Sequence, residues 1–145
     1  MGTFRTLSHV PRTLIPALLL GMVVLSGSAT AQPAIPIPDV NVLVGKWVGT
    51  ATSPRFNSPY ELTVNENGTW NSMVPNIPPG KFTGTVQASK GKATLHSDTT
   101  KITYDVTLYE REGKQALQLT SGLPTGGRVV IDLTRTQLKY DRRKE

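Results

Sequence analysis

The chain has 145 residues and a formal charge of +6, from 16 Lys and Arg against 10 Asp and Glu. It has no cysteine, which excludes disulfide stapling, thiol catalysis and cysteine metal sites and leaves stability to packing and hydrogen bonding. One of its two histidines, His9, lies in the N-terminal segment, and a single remaining imidazole, His96, removes most hydrolase and metal-site constellations, so neither an enzyme nor a cofactor is expected.

Read from the N-terminus, Arg5, His9 and Arg12 precede an apolar stretch from Leu14 to Leu25, which ends in Ser26, Gly27, Ser28, Ala29, Thr30 and Ala31. Basic, apolar and small residues in that order describe a secretory signal peptide, with cleavage expected after Ala31. Pro16 and Gly21 interrupt the stretch, which falls short of the roughly 20 apolar residues of a spanning helix. Residues 1–31 are therefore read as a signal peptide. The mature chain is expected to be exported, periplasmic or extracellular, without a membrane span, and to be a monomer of one domain. Residues 32–41 hold Pro33, Pro36 and Pro38, which remove donors and keep the backbone extended, so they read as a lead-in spacer.

From residue 42 the pattern changes to short segments rich in Val, Thr, Leu and Tyr between Gly, Asn, Pro and Lys turns, with no helical run. Eight strands are expected, near 42–52, 60–65, 69–75, 81–88, 92–98, 101–110, 115–120 and 128–136. Hairpin loops fix their register. A two-residue Thr99-Thr100 loop sets Asp98 against Lys101 as a charge pair, Leu95 against Tyr104 and Ala93 against Val106. Glu112-Gly113 sets Leu108 against Leu117 and Val106 against Leu119, and Lys90-Gly91 sets Val86 against Leu95. A three-residue Glu66-Asn67-Gly68 loop sets Val64 against Trp70 and turns Trp70 inward. The fold expected over 42–138 is all-β, an eight-stranded antiparallel up-and-down barrel. Residues 139–145, with Lys139, Arg142, Arg143 and Lys144, form a solvated basic tail, and nucleic acid is not an expected partner.

The long connections, 53–59, 75–80 and 121–127, fall on one rim of such a barrel, and each carries one large apolar residue: Phe56, Ile77 and Leu123. These form either the lip of a binding pocket or a plug folded into a small barrel. Alternation places Tyr60, Leu62, Trp70, Phe82, Leu95, Tyr104, Val106, Leu119 and Ile131 inside, as the lining of a cup or as a filled core. His96, Glu61, Asp105 and Asp132 fall on outward positions, and Thr125-Gly126-Gly127 precedes no helix, so it cradles no phosphate.

Gly45-Lys46-Trp47 in the first strand resembles the Gly-X-Trp motif of lipocalins and the wider calycin group, and Arg135, on the inward alternation of Val129, Ile131 and Leu133, matches the Arg of their last strand. The resemblance implies that Trp47 closes the narrow end of the barrel beneath Arg135. The chain is shorter than a typical lipocalin, shows no recognisable acidic turn motif at Glu110-Arg111-Glu112-Gly113, and has no C-terminal helix pattern. Gly49 and Ala51 share the face of Trp47, as close packing beside a large ring requires.

Two functions follow as expectations. One is a binding protein that holds a small hydrophobic or lipid-like ligand in the cup, with an acidic group of the ligand near Arg135. The other is an envelope protein-interaction module, such as a protease or lysozyme inhibitor, acting through the Pro-rich arm or the rim loops.

Overall fold

Alternation of apolar and polar residues, broken by turn residues at short intervals, gives eight antiparallel strands in a computed structural model that describes residues 32–78 and 80–137. They are β1 (Gly45–Ser53), β2 (Phe56–Val64), β3 (Thr69–Met73), β4 (Lys81–Ser89), β5 (Lys92–Ser97), β6 (Thr103–Arg111), β7 (Lys114–Gly122) and β8 (Arg128–Arg135). Each pairs with the next, and β8 returns to β1, so the sheet closes into an up-and-down barrel with no free edge. The signal peptide and the basic tail expected from the sequence lie outside the described residues, as does Leu138.

The hairpins carry the expected register. Lys90-Gly91 and Glu112-Gly113 both hold two successive positive φ values, 52° and 77° in the first and 52° and 72° in the second, the twist that matches flanking antiparallel strands. Val86 accordingly faces Leu95, Leu108 faces Leu117, and Val106 faces Leu119. At the β2–β3 turn, Asn67 Oδ1 accepts from the Thr69 amide at 3.0 Å, and Val64 pairs with Trp70, so the indole points inward.

Several boundaries differ from those expected. β1 begins at Gly45, not 42, because Val40–Leu43 form a 3-10 helix whose cap, Asp39, accepts from the Asn41 amide at 2.8 Å. The first connection is the two-residue turn Pro54-Arg55, not a loop over 53–59: Ser53 Oγ accepts from both the Arg55 and Phe56 amides at 3.2 Å, and β2 starts at Phe56. Pro59 lies inside β2 opposite Thr50; β3 ends at Met73, short of it, so its missing N–H breaks no full ladder. Asp98 and Lys101 form no ion pair. Lys101 adopts φ 61° and its amide donates to the Ser97 carbonyl at 2.9 Å, which puts the connection at 98–102. Gly49 is small because the β8 backbone at Asp132 crosses where a Cβ would stand, rather than because the Trp47 ring needs the room.

The residues before the barrel are not a spacer. The Ile35 amide donates to the Leu108 carbonyl at 2.7 Å and the Ile37 amide to the Gly91 carbonyl at 2.9 Å, and the Ile37 side chain is 1% exposed. They meet the barrel where β5 and β6 pair over only four residues, Ala93–His96 with Thr103–Val106, and beyond them β6 is bridged at Leu108 by Ile35 in place of β5. Ile37 and Leu43 thus join Trp47, Leu108, Leu117 and Leu133 in one buried cluster at this end. Trp47 Nε1 donates to the Leu43 carbonyl at 2.8 Å, and the Arg135 guanidinium lies 4.4 Å from the Trp47 ring centroid on the paired position of β8. Arg135 also donates to the carbonyls of Val44, at 2.9 Å, and Val42, which tie the 3-10 helix to the last strand. Burial lowers the pKa of this guanidinium from its ordinary value.

Candidate functional site

The opposite end of the barrel is built differently, because connections between β1 and β2, β3 and β4, β5 and β6, and β7 and β8 all emerge there. Two of them fold back on themselves. In the β3–β4 connection the Val74 amide donates to Gly80 (2.7 Å) and the Ile77 amide to Val74 (3.2 Å), so that Ile77 is carried on a closed loop. In the β7–β8 connection the Leu123 amide donates to Gly127 and the Gly126 amide to Leu123, both at 3.0 Å. Short internal hydrogen bonds make this lip a built structure rather than a set of free tips.

Beneath the lip lies a cavity of about 150 Å³. Of the residues expected to line a cup, Phe56, Tyr60, Trp70, Ile77, Phe82, Tyr104, Leu123 and Ile131 do so. Phe56 does it as the first residue of β2, not from a loop. Leu62, Leu95, Val106 and Leu119 do not: with exposures of 0%, 1%, 8% and 0% they pack below the cavity and fill the barrel between it and Trp47. The barrel interior is therefore packed between this cavity and Trp47, and a separate cleft of about 430 Å³ lies at the lower end where the arm crosses β5 and β6, lined by Ile35, Ile37, Ala93, Val106 and Leu108.

Six further residues complete the wall: Ala51, Val74, Ser97, Thr100, Ile102 and Val129. Ala51 and Val129 share the inward alternation of Trp47 and Ile131, a signal present in the sequence. Thr100 and Ile102 were hidden by the length of their connection, which looks like a bare two-residue turn until Lys101 is seen to adopt a left-handed conformation.

The wall is apolar except for Tyr60, Tyr104, Ser97 and Thr100. Burial raises the pKa of the Tyr60 phenol far above its ordinary value; the nearby Ser72 hydroxyl pulls weakly the other way, and Tyr104 adds to the rise. Burial also raises the Tyr104 phenol. Both are neutral hydrogen-bonding groups at any physiological pH. Ser97 Oγ accepts from the Thr100 amide at 3.2 Å.

Charged and metal-binding groups stand elsewhere. Arg135 lies at the closed end with its guanidinium on Trp47 and two carbonyls, so it is not placed to meet an acid in the cup. Glu61 pairs with Lys46 at 2.9 Å on the outer surface, and Asp132 accepts there from Gln118 at 3.2 Å. His96, also on the outside, has Nδ1 at 3.0 Å from the Thr103 hydroxyl. Among the described residues no three His, Cys, Asp or Glu side chains are grouped to hold a metal, and no helix is long and apolar enough to cross a membrane.

The sequence matches no protein-family model and no curated protein. Among solved structures it is similar to that of a redesigned β-barrel, at 13% identity and a TM-score of 0.47, covering 70% of this chain and 99% of that one.

Proposed function

We propose that this chain is an exported β-barrel that takes up a small apolar molecule in the cup at its open end. The observation that carries the reading is the cavity itself: about 150 Å³, walled by Phe56, Tyr60, Ile77, Phe82, Tyr104 and Leu123, above the packed layer of Leu62, Leu95 and Leu119. Apolar cavities of about this size stay dry and accept a benzene-sized guest. The cup opens at the rim, so what it takes in is a compact apolar group, which narrows the lipid-like ligand expected from the sequence to a small molecule or to the end of a larger one. Support for a lipocalin-like relationship comes from the closed end, where Gly45, Trp47 and Arg135 meet beneath a short N-terminal helix. Support for export comes from the basic, apolar and small-residue order of residues 1–31. A role for the arm in gripping another protein gains less support, because Ile35 and Ile37 are already engaged with the barrel.

Toluene titrated into the protein and followed by calorimetry is expected to bind saturably at one site. Phe82→Trp, which adds bulk to the wall, is expected to abolish the heat while leaving the melting temperature within a few degrees. Absence of any saturable heat with toluene in the unaltered protein would remove the reading.

A further inference from the structure

The two phenols set in the cup are the feature that the uptake of an apolar molecule does not use. Tyr60 on β2 is 6% exposed and Tyr104 on β6 lines the same cavity, close enough to add to the rise in the Tyr60 pKa. Beside Tyr60, the buried Ser72 hydroxyl makes no hydrogen bond of good geometry, and its pull on the Tyr60 pKa is downward, the sense of a hydroxyl turned toward the phenolic oxygen, so it does not take up the Tyr60 proton. A barrel that needed only to fill this space could do so with Phe at both positions, since neither hydroxyl has a hydrogen-bond partner among the described residues and neither is among the buried polar atoms left without one, so both open onto the cavity. Placed in the cavity wall, these hydroxyls have their donors available to whatever enters.

We propose that the preferred guest of the cup is a compact, neutral carbonyl compound whose oxygen is received by the hydroxyls of Tyr60 and Tyr104; this rests on the reading of the cup as a ligand site. Three observations select that chemistry. None of the lining residues carries a charge, so a carboxylate would be stripped of water with no cation to meet it, a heavy penalty in an apolar site. Both phenols remain protonated and therefore donate. A carbonyl oxygen offers two lone pairs on one atom, so a single acceptor can take both donors while the rest of the guest lies against the apolar wall of Phe56, Ile77, Phe82 and Leu123. The volume of about 150 Å³ limits the body of the guest to roughly one ring with a short substituent.

Three probes of matched size separate the alternatives: acetophenone, isopropylbenzene and benzoate, each titrated by calorimetry into the unaltered protein, Tyr60→Phe and Tyr104→Phe. Loss of one neutral hydrogen bond is expected to weaken acetophenone about five- to tenfold in each variant, while isopropylbenzene binds as well or better. Benzoate is expected not to bind any of them. The carbonyl stretch of acetophenone should move to lower wavenumber in the complex and recover partly in each variant. If the variants weaken ketone and hydrocarbon alike, or neither, the phenols do not receive a carbonyl although the cup still binds apolar guests. Benzoate binding as tightly as acetophenone overturns the neutral-guest assignment. Failure of all three probes overturns the cup as a ligand site altogether.

Discussion

Gly84 shows how one position can be decided by a neighbour far away in sequence. It lies inward on β4, paired with Trp70 of β3, and a Cβ there would meet the Trp70 ring at 2.8 Å and press on the His96 carbonyl of β5. The indole lies across the glycine, and its Nε1 donates to the Thr85 carbonyl at 3.2 Å. Gly84→Val is therefore expected to cost more than about 2 kcal/mol in denaturant unfolding, since neither a backbone nor a buried ring can yield cheaply. Gly113→Ala, where nothing lies within 4 Å and only the φ of 72° resists, is expected to cost about 1 kcal/mol. A loss at Gly84 no larger than that at Gly113 would show that the neighbouring strand and ring yield to the added bulk. In the sequence Gly84 is only a glycine inside a strand pattern. Trp47 and Arg135 were legible because each sits on an alternation that can be counted from the chain, whereas the crowding at Gly84 depends on how closely three strands approach.

Among the elements, the hairpins were the most readable, because a turn with two adjacent positive φ values leaves the following strand one register. The Lys90-Gly91, Glu112-Gly113 and Glu66-Asn67-Gly68 turns place their flanking apolar residues face to face as loop length dictates. Pro59 misled for a physical reason: proline marks a strand end only where both sides of the strand are paired, and here β3 has already stopped. The N-terminal arm misled in the same way. Three prolines signal an extended chain, but an extended chain can still lie against a barrel, and the isoleucines between them were the evidence that it does. The arm covers the stretch where β6 outruns β5, so its removal would leave Leu108 and its neighbours short of cover. Deleting residues 32–38 is expected to lower the melting temperature by on the order of 10 °C, and Ile37→Ala alone to cost about 2–4 kcal/mol. A melting temperature unchanged by the deletion would mean that the barrel closes without the arm.

At the scale of the whole molecule, the barrel divides into a packed end, where Trp47, Leu43 and Ile37 meet under Arg135, and a rim end with a cavity. Alternation revealed which residues face inward, but inward residues at both ends follow one period, so nothing in the pattern told Leu62 and Leu119 below from Tyr60 and Ile131 above. That division depends on height along the barrel axis, which follows from strand tilt and loop length together. It has a consequence for stability at high pH. Both cup phenols ionise less readily in the folded protein than at the ordinary tyrosine value of 10.0, so above that pH the unfolded chain releases protons that the folded one retains. Proton release on unfolding makes the unfolded state more favourable as pH rises. Stability is thus unaffected by these groups below about pH 9 and falls above pH 10 by up to about 1.4 kcal/mol per pH unit for each phenol. Tyr60→Phe is expected to flatten the fall in urea midpoint between pH 10 and 11 relative to the unaltered protein, with Tyr104→Phe acting in the same direction. A saturating neutral guest should add a constant increment across that range. Identical alkaline slopes in all three proteins would show that the two hydroxyls reach water in the folded state, and the cup would then be open much deeper than its walls indicate.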